Sequence, residues 1–125
     1  MPSCDRGCIG HSADQQGLMS ALTNLFADAA PPERGERFDV LLRHRNLVVE
    51  RIVSSDVITP TPYEQAQDEW VVLLQGEADL EVSGTRHTLR PGDHVFLPAG
   101  TPHTVLRTAA GTVWLAVHLH PCPHD

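Results

Sequence analysis

The sequence predicts an all-β domain, a sandwich or barrel of the jelly-roll type. From residue 37 onward, short runs rich in β-branched and aromatic residues follow one another, and glycine or proline interrupts nearly every turn between them. We count about eight to ten such strands and one short stretch of helical periodicity. Short strands at regular spacing favour two packed antiparallel sheets.

The composition limits the classes of function. A chain of 125 residues with 41% apolar and 20% charged residues is typical of one globular domain. Its net charge of −7 and its lack of a basic stripe argue against nucleic acid or an anionic membrane as a partner. It has no apolar run long enough for a transmembrane helix and no secretory pattern at its N-terminus. We therefore expect a cytoplasmic protein with free thiols at its three cysteines.

The predicted organisation is a barrel preceded by a short helical segment. Ser20 is a candidate N-cap, and the apolar residues behind it fall at helical spacing, which predicts a short amphipathic helix near residues 20–29. The predicted segments are a flexible arm (1–19), a helix and linker (20–34), a single β-barrel domain (35–121) and a tail (122–125).

One predicted strand is apolar on both faces. The predicted strands cover residues 38–45, 47–54, 70–75, 79–83, 87–89, 94–97, 104–107 and 112–120. In the strand at 70–75, Trp70 and Val72 lie on one face, while Val71 and Leu73 lie on the other. A strand of this kind is covered on both sides, either by the N-terminal helix or by a second subunit, so we expect a homodimer.

The stretch over residues 91–103 contains the most distinctive local pattern. A Pro-Gly-Asp turn precedes a four-residue strand, and a second turn containing Pro98, Gly100 and Pro102 then leads to His103. A loop with this much proline and glycine has little freedom, so it holds the imidazole in one place. A metal site or a proton-transfer site needs a histidine placed in this way.

Two stretches resemble the motifs of a known family. Gly92-x5-Pro98-x-Gly100-x2-His103 fills every fixed position of the second motif of the cupin superfamily, and Glu69-x6-Gly76 resembles the closing half of the first motif. The chain thus resembles a small single-domain bacterial cupin. This resemblance implies a jelly-roll β-barrel of two antiparallel sheets, often dimeric, with a metal ion held inside by the motif residues.

The sequence departs from the family pattern where the first motif has its two histidines, because Tyr63 and Gln65 stand at those positions. His103 and Glu69 are the best candidate ligands for a divalent metal, of which Fe, Mn, Ni or Zn would suit an imidazole. Gln65 is a weaker amide ligand. Tyr63 and Gln65 also suit hydrogen bonds to a bound organic ligand, and Arg107 is a further candidate contact in the pocket.

The last strand contains a second histidine pattern. His118 and His120 lie two residues apart and share a face, so they could restore the ligands that the first motif lacks. The competing phase turns Val113, Leu115, Val117 and Leu119 inward and is the better hydrophobic stripe. We keep His118 as a candidate metal ligand and His120 as a candidate pocket residue.

Three functions are compatible with these residues. The first is a metal-binding protein whose ion acts as a Lewis acid or binds O₂ for a small-molecule substrate. The second is a metal-free barrel that binds a small ligand as a sensor or accessory protein, which the missing histidines favour. The third and weaker hypothesis is a sugar epimerase or isomerase that uses a histidine base, although no set of lysines or arginines for a nucleotide diphosphate is evident. Whether the protein is an enzyme stays open.

Overall fold

The computed structural model describes residues 22–122, which form a two-sheet antiparallel β-barrel and confirm the predicted fold class. The larger sheet has the strand order β1-β2-β8-β3-β6, and the smaller sheet has the order β5-β4-β7. Every neighbouring pair is antiparallel. The eight strands are β1 (Glu36–His44), β2 (Leu47–Ser54), β3 (Asp68–Gln75), β4 (Ala78–Val82), β5 (Thr85–Leu89), β6 (His94–Leu97), β7 (His103–Thr108) and β8 (Thr112–Leu119).

The strand predictions agree closely with the structure. Two of them, β2 and β6, have the predicted bounds, and the other six differ by one or two residues at one or both ends. The agreement follows from the turn residues, since glycine and proline act on the backbone locally and end a strand wherever the chain folds back.

The helix predicted near residues 20–29 is wrong in the part that the structure describes. Residues 25–28 form a turn, and Arg51 on β2 donates hydrogen bonds to the carbonyls of Leu25 and Ala27 at 2.9 and 2.7 Å. A helix would not satisfy the Ala27 carbonyl, because its partner four residues on is Pro31, which has no N–H. The predicted arm lies outside the described residues, and the predicted domain bounds stay a prediction.

The structure bears on the predictions about membrane spans and about the cysteines. Within residues 22–122 no helix has the length and hydrophobicity needed to cross a membrane. Cys122 is disulfide-bonded, so the expectation of a free thiol is wrong at this position. The cytoplasmic location stays a prediction.

The inward face of β8 is the less hydrophobic of its two faces. Trp114 and Ala116 belong to the core, and His118 is buried beside them, so the favoured stripe from Val113 to Leu119 faces outward. Val113 is nevertheless fully buried. Both faces of β8 are covered near its start, so hydrophobicity alone does not determine which face of the strand points inward. The register of β8 against β3 determines it.

The core between the two sheets surrounds this part of β8. The Trp114 indole N–H donates to Ser54 Oγ at 3.0 Å, which satisfies the one polar atom of the largest core side chain. The core cluster comprises Val71, Leu73, Ala78, Leu80, Leu89, Leu97, Trp114 and Ala116.

Gly76 lies in the turn after β3 and in close contact with the first residue of β8. Its φ is +92°, and a Cβ built there would lie 2.3 Å from Thr112 Oγ1 and 2.7 Å from Thr112 Cα. Thr112 is fully buried and donates from Oγ1 to the Ala109 carbonyl, so it has no room to move away. This position therefore requires glycine for both conformation and space.

We expect Gly76→Ala to lower the free energy of unfolding by roughly 2–4 kcal/mol, because backbone strain and a steric clash add. Urea denaturation measures this loss. Gly84→Ala is the matched control, since Gly84 has a φ of +84° but nothing within 4 Å of a built Cβ. That control should lose only roughly 1–2 kcal/mol. Equal losses in the two variants would contradict the role of Thr112.

Candidate functional site

A cavity of about 130 Å³ lies between the two sheets. Five of the seven residues predicted from the sequence line it, namely Tyr63, Gln65, Glu69, His103 and His118. Two carboxylates that the sequence analysis did not select, Glu36 and Glu50, also line it. The rest of the wall is apolar, and among the described residues no lysine or arginine lines this cavity.

His103 leaves the stiff loop at the start of β7 and is buried. The Gly100 N–H donates to the Gln65 carbonyl at 2.7 Å, and the backbones of His103 and Tyr63 exchange hydrogen bonds of 2.8 and 2.9 Å. Gly100 has a φ of +81°, which suits glycine. These contacts attach the loop to the segment before β3, so the imidazole is held against the cavity.

The tautomer of His103 follows from its neighbour. Its Nδ1 lies 3.0 Å from the Thr101 carbonyl oxygen, which can only accept a hydrogen bond. Nδ1 therefore carries the hydrogen and donates it. In the neutral imidazole Nε2 then has a free lone pair, and this atom faces Glu69.

Glu69 lies on the inner face of β3 and is 7% exposed. Its Oε1 is 3.7 Å from His103 Nε2, which is too long for a hydrogen bond. Among residues 22–122 no group donates a hydrogen bond to this carboxylate. Burial raises the pKa of Glu69, and the nearby His118 and His103 oppose that rise.

His118 lies opposite Glu69 on the neighbouring strand and pairs with a different carboxylate. Its Nε2 is 3.0 Å from Glu50 Oε1, and its Nδ1 is 3.3 Å from the side-chain nitrogen of Gln67. The hydrogen bond to Glu50 raises the pKa of His118, although desolvation opposes the rise. Glu50 shares a face of β2 with apolar residues, and this alternation is the sequence signal that could have identified it as an inward-facing carboxylate.

Tyr63 and Gln65 stand where the first motif has histidines, and both side chains reach the cavity. The Tyr63 ring stacks on His103, with ring centroids 5.9 Å apart and planes 28° apart. Tyr63 is also 45% exposed, so its phenol forms part of the rim. A ligand entering the cavity would meet this ring.

Arg107 lies outside the cavity, contrary to the expectation that it contacts a ligand. Alternation along β7 from His103 would turn Arg107 inward, but a bulge interrupts the pairing of β7 with β4. The bulge shifts the phase by one residue and puts Arg107 on the outer face. There it pairs with Glu77 at 2.7 Å and with Asp79 at 3.1 Å.

His120 also does not line the cavity. It follows the last residue of β8, and its ring centroid lies 6.1 Å from that of His118. Its backbone N–H donates to the Asn46 carbonyl at 2.8 Å. Burial lowers the pKa of His120, and the neighbouring His118 and Arg43 add to this shift.

The cavity thus contains two separate histidine–carboxylate pairs. Within the part of the chain that the structure describes, no three histidine, cysteine, aspartate or glutamate side chains are already gathered for a metal ion. His103 faces Glu69, and His118 is hydrogen-bonded to Glu50. The two pairs share one cavity, and Glu69 interacts electrostatically with the other three groups.

Comparisons with known proteins identify relatives of this chain. A family model described as a cupin domain matches residues 49–118. A protein from Ralstonia eutropha JMP134, provisionally named a mannose-6-phosphate isomerase, is 37% identical with a TM-score of 0.71, covering 81% of this chain and 99% of that one. No match was found among curated proteins.

Two further solved structures share the fold at lower identity. KdgF from Halomonas sp. is 19% identical with a TM-score of 0.69, covering 82% of this chain and 95% of its own. An RmlC-like cupin from Shewanella frigidimarina NCIMB 400 is 15% identical with a TM-score of 0.68, covering 82% and 91%. At these identities the likeness concerns the fold alone.

The ion pairs of Asp79 with Arg86 and Arg107, outside the cavity, predict that the stability of the protein depends on pH. The side chain of Asp79 is 5% exposed, and hydrogen bonds from Arg107, Arg86 and Thr88 hold its pKa well below the usual value of 3.8. Because the pKa of Asp79 is lower in the folded than in the unfolded state, the ionised carboxylate stabilises the fold fully above its usual pKa of 3.8. This contribution decreases below that pH and is lost as the pH falls through the folded pKa.

We therefore expect Asp79→Asn to melt at a lower temperature than the wild type near neutral pH. The difference between the two melting temperatures should shrink as the pH is lowered toward about 2. Thermal unfolding followed by circular dichroism over this range measures it. A difference that stays constant with pH would contradict the assignment.

Proposed function

This chain belongs to the cupin family, and we propose that its barrel binds a divalent metal ion together with a small organic molecule. His103 and Glu69 are the proposed principal ligands, and Gln65 and His118 are further candidates. The observation that carries the proposal is the buried Glu69 carboxylate, which accepts no hydrogen bond from residues 22–122 and faces the Nε2 atom of His103.

These two facing groups suit a cation. The Nδ1 hydrogen of His103 is already used by the Thr101 carbonyl, so Nε2 of a neutral imidazole and the Glu69 carboxylate present electron pairs to each other across 3.7 Å. The Glu69 carboxylate faces the cavity in a largely buried position, and its charge is costly there unless a proton, a metal ion or a donor within the cavity compensates it. Imidazole nitrogen and carboxylate oxygen together are typical ligands of Fe, Mn, Ni and Zn.

A bound ion would supply Lewis-acid chemistry or an O₂ site. The chain itself would hold a small molecule between the Tyr63 ring and the apolar wall, which keeps water away from the buried histidine. A cavity of about 130 Å³ is small beside the roughly 300–1,000 Å³ typical of sites for drug-sized ligands. We therefore favour a ligand with few non-hydrogen atoms.

A metal-free ligand-binding or sensor protein is the second candidate. It is favoured by the pairing of His118 with Glu50 and Gln67, which satisfies this imidazole without a metal ion. The absence of three gathered donors within residues 22–122 also favours it. In this case the Glu69 carboxylate would be held neutral, or would meet a donor group of the ligand.

An isomerase is a third candidate, supported by the provisional name of the Ralstonia eutropha relative. A sugar phosphate needs a cationic partner, and the described lining of the cavity contains no lysine or arginine. Arg34 instead lines an adjoining groove, which shares Phe38 and Tyr63 with the cavity. We rank this candidate last, because its cation lies apart from the histidine that would act as base.

We expect the protein, purified without a histidine tag, to contain near-stoichiometric Fe, Mn, Ni or Zn. Elemental analysis measures this content. His103→Ala and Glu69→Gln should lose the metal, because each removes one of the two facing donors. Arg107→Ala is the control that should retain it, since Arg107 lies on the outer face.

The two leading candidates differ in their response to a chelator. Metal binding to the folded state predicts a fall in melting temperature when the ion is removed. Substoichiometric metal that rinses away without any change in melting temperature would contradict the proposal. A rise in melting temperature with a small organic molecule in metal-free buffer would then support the sensor candidate.

We also propose that the chain forms a homodimer through the outer face of the larger sheet. Trp70, Phe96 and Leu119 are 37%, 57% and 47% exposed there, and Trp70 pairs with Phe96 across neighbouring strands. A contiguous apolar surface of this kind supports an interface with a second copy.

Light scattering after size exclusion should give a dimer for the wild type and a monomer for Trp70→Glu, because the new charge would be buried unpaired. Val57→Glu should remain dimeric, since Val57 is 45% exposed but lines the groove beside the cavity. A wild-type monomer at high protein concentration would refute the dimer.

A further inference from the structure

Glu36, Phe38 and Tyr63 form the mouth of the barrel, because these three residues line both the cavity and the groove beside it. The groove has a volume of about 400 Å³. Alternation along β1 places Glu36 and Phe38 on one face, where they lie opposite Ser54 and Ile52 of β2. A molecule that enters the cavity through the groove therefore passes a carboxylate and two aromatic rings.

Both aromatic rings of the mouth are accessible to such a molecule. Phe38 is 54% exposed and Tyr63 is 45% exposed. Phe38 lies on β1, which is an edge strand of the larger sheet, and the smaller sheet has two strands fewer. The face of an aromatic ring carries partial negative charge and attracts a cation within about 6 Å of its centre.

The carboxylate of the mouth has no cationic partner among residues 22–122. Glu36 accepts a hydrogen bond from Ser54 Oγ, and the same hydroxyl accepts the indole N–H of Trp114, so the carboxylate is held in place. Behind it, Glu50 and Glu69 also line the cavity, whose described lining has no lysine or arginine. A cleft lined by one sign of charge raises the local concentration of ligands of the opposite sign.

We propose that the small organic molecule bound by the barrel is an ammonium compound, whose charged group lies at the mouth between the rings of Phe38 and Tyr63 and beside Glu36. The inference rests on the proposed function and deepens it, because it names the chemical class of that molecule. An alkylated ammonium suits this position, since aromatic faces and a carboxylate bind it without hydrogen bonds.

The ammonium group does not compete with the proposed metal ion. Glu69 and His103 line the cavity but not the groove, whereas the three residues of the mouth line both. The ion and the ammonium group would thus occupy different parts of one connected space, and the uncharged part of the organic molecule would extend from the mouth toward the ion.

Arg34 distinguishes a cationic ligand from an anionic one. It lines the groove but not the cavity. Its guanidinium would attract the carboxylate or phosphate of an organic anion and would repel an ammonium group. Arg34→Ala should therefore weaken the binding of an anion and leave the binding of a cation equal or tighter.

The test is an NMR titration of the full-length protein, as purified, with choline as the probe. Choline should shift the resonances of residues that line the cavity and the groove, and should bind at least about tenfold more tightly than its neutral analogue, in which a carbon atom replaces the nitrogen. Phe38→Leu, Tyr63→Leu and Glu36→Gln should each weaken choline binding by at least about fivefold.

Two controls accompany these variants. Arg34→Ala changes a charge of the same groove and should bind choline at least as tightly as the wild type. Val57→Ala removes apolar surface from the groove without removing a ring or a carboxylate, and its affinity should stay within about twofold of the wild type. Because Phe38 and Tyr63 are exposed, their leucine variants should keep the wild-type fold, which the same NMR spectra verify.

The outcomes separate this inference from the proposed metal site. Equal affinity for choline and its neutral analogue, or no saturable shift by choline in protein that contains metal, would overturn the inference and leave the metal site intact. Unchanged choline binding in all three variants of the mouth would also overturn it. Choline binding with the predicted losses, in protein that contains no metal, would support the inference and contradict the metal site.

Discussion

The antiparallel pairing of β3 with β8 is the constraint on which the rest of the site depends. It sets Glu69 opposite His118 and Val71 opposite Ala116, so the carboxylate and the imidazole lie side by side above an apolar layer. A slip of one residue would turn every one of these side chains to the other face. The bulge after Leu73 comes only beyond this section, where Gly76 brings the turn close to Thr112.

The buried carboxylates on the outer face of the smaller sheet and inside the barrel are compensated in different ways. On the outer face of the smaller sheet, Asp79 is buried but receives hydrogen bonds from Arg86, Arg107 and Thr88, so its charge is compensated within the chain. Inside the barrel, Glu69 accepts no hydrogen bond from residues 22–122, and the nearby His118 and His103 act on it only through their charges. The bulge in β7 produces this difference, because it sends Arg107 outward while His103 stays inward. Because the described lining of the cavity contains no lysine or arginine, we proposed a cation as its ligand.

The departure from the family motif concerns chemistry more than shape. Tyr63 and Gln65 still face the cavity at the positions where cupins have histidines, so the backbone of the motif is retained while its donors are not. Tyr63 stacks on the remaining histidine, and Gln65 joins its carbonyl to the Gly100 amide. In this chain the second histidine of the cavity comes instead from β8, and the second carboxylate beside the histidines comes from β2.

The sequence by itself determined the strands, the stiff loop and the placement of His103, because glycine, proline and β-branched residues act on the backbone within a few positions. The motif spacing also identified Glu69, Tyr63 and Gln65. Only the tertiary structure decided the phase of β8, the outward turn of Arg107 and the approach of Glu50 to His118. Those features depend on register and on a bulge between strands distant in sequence, and β8 is apolar on both faces, so alternation carries no information about its direction.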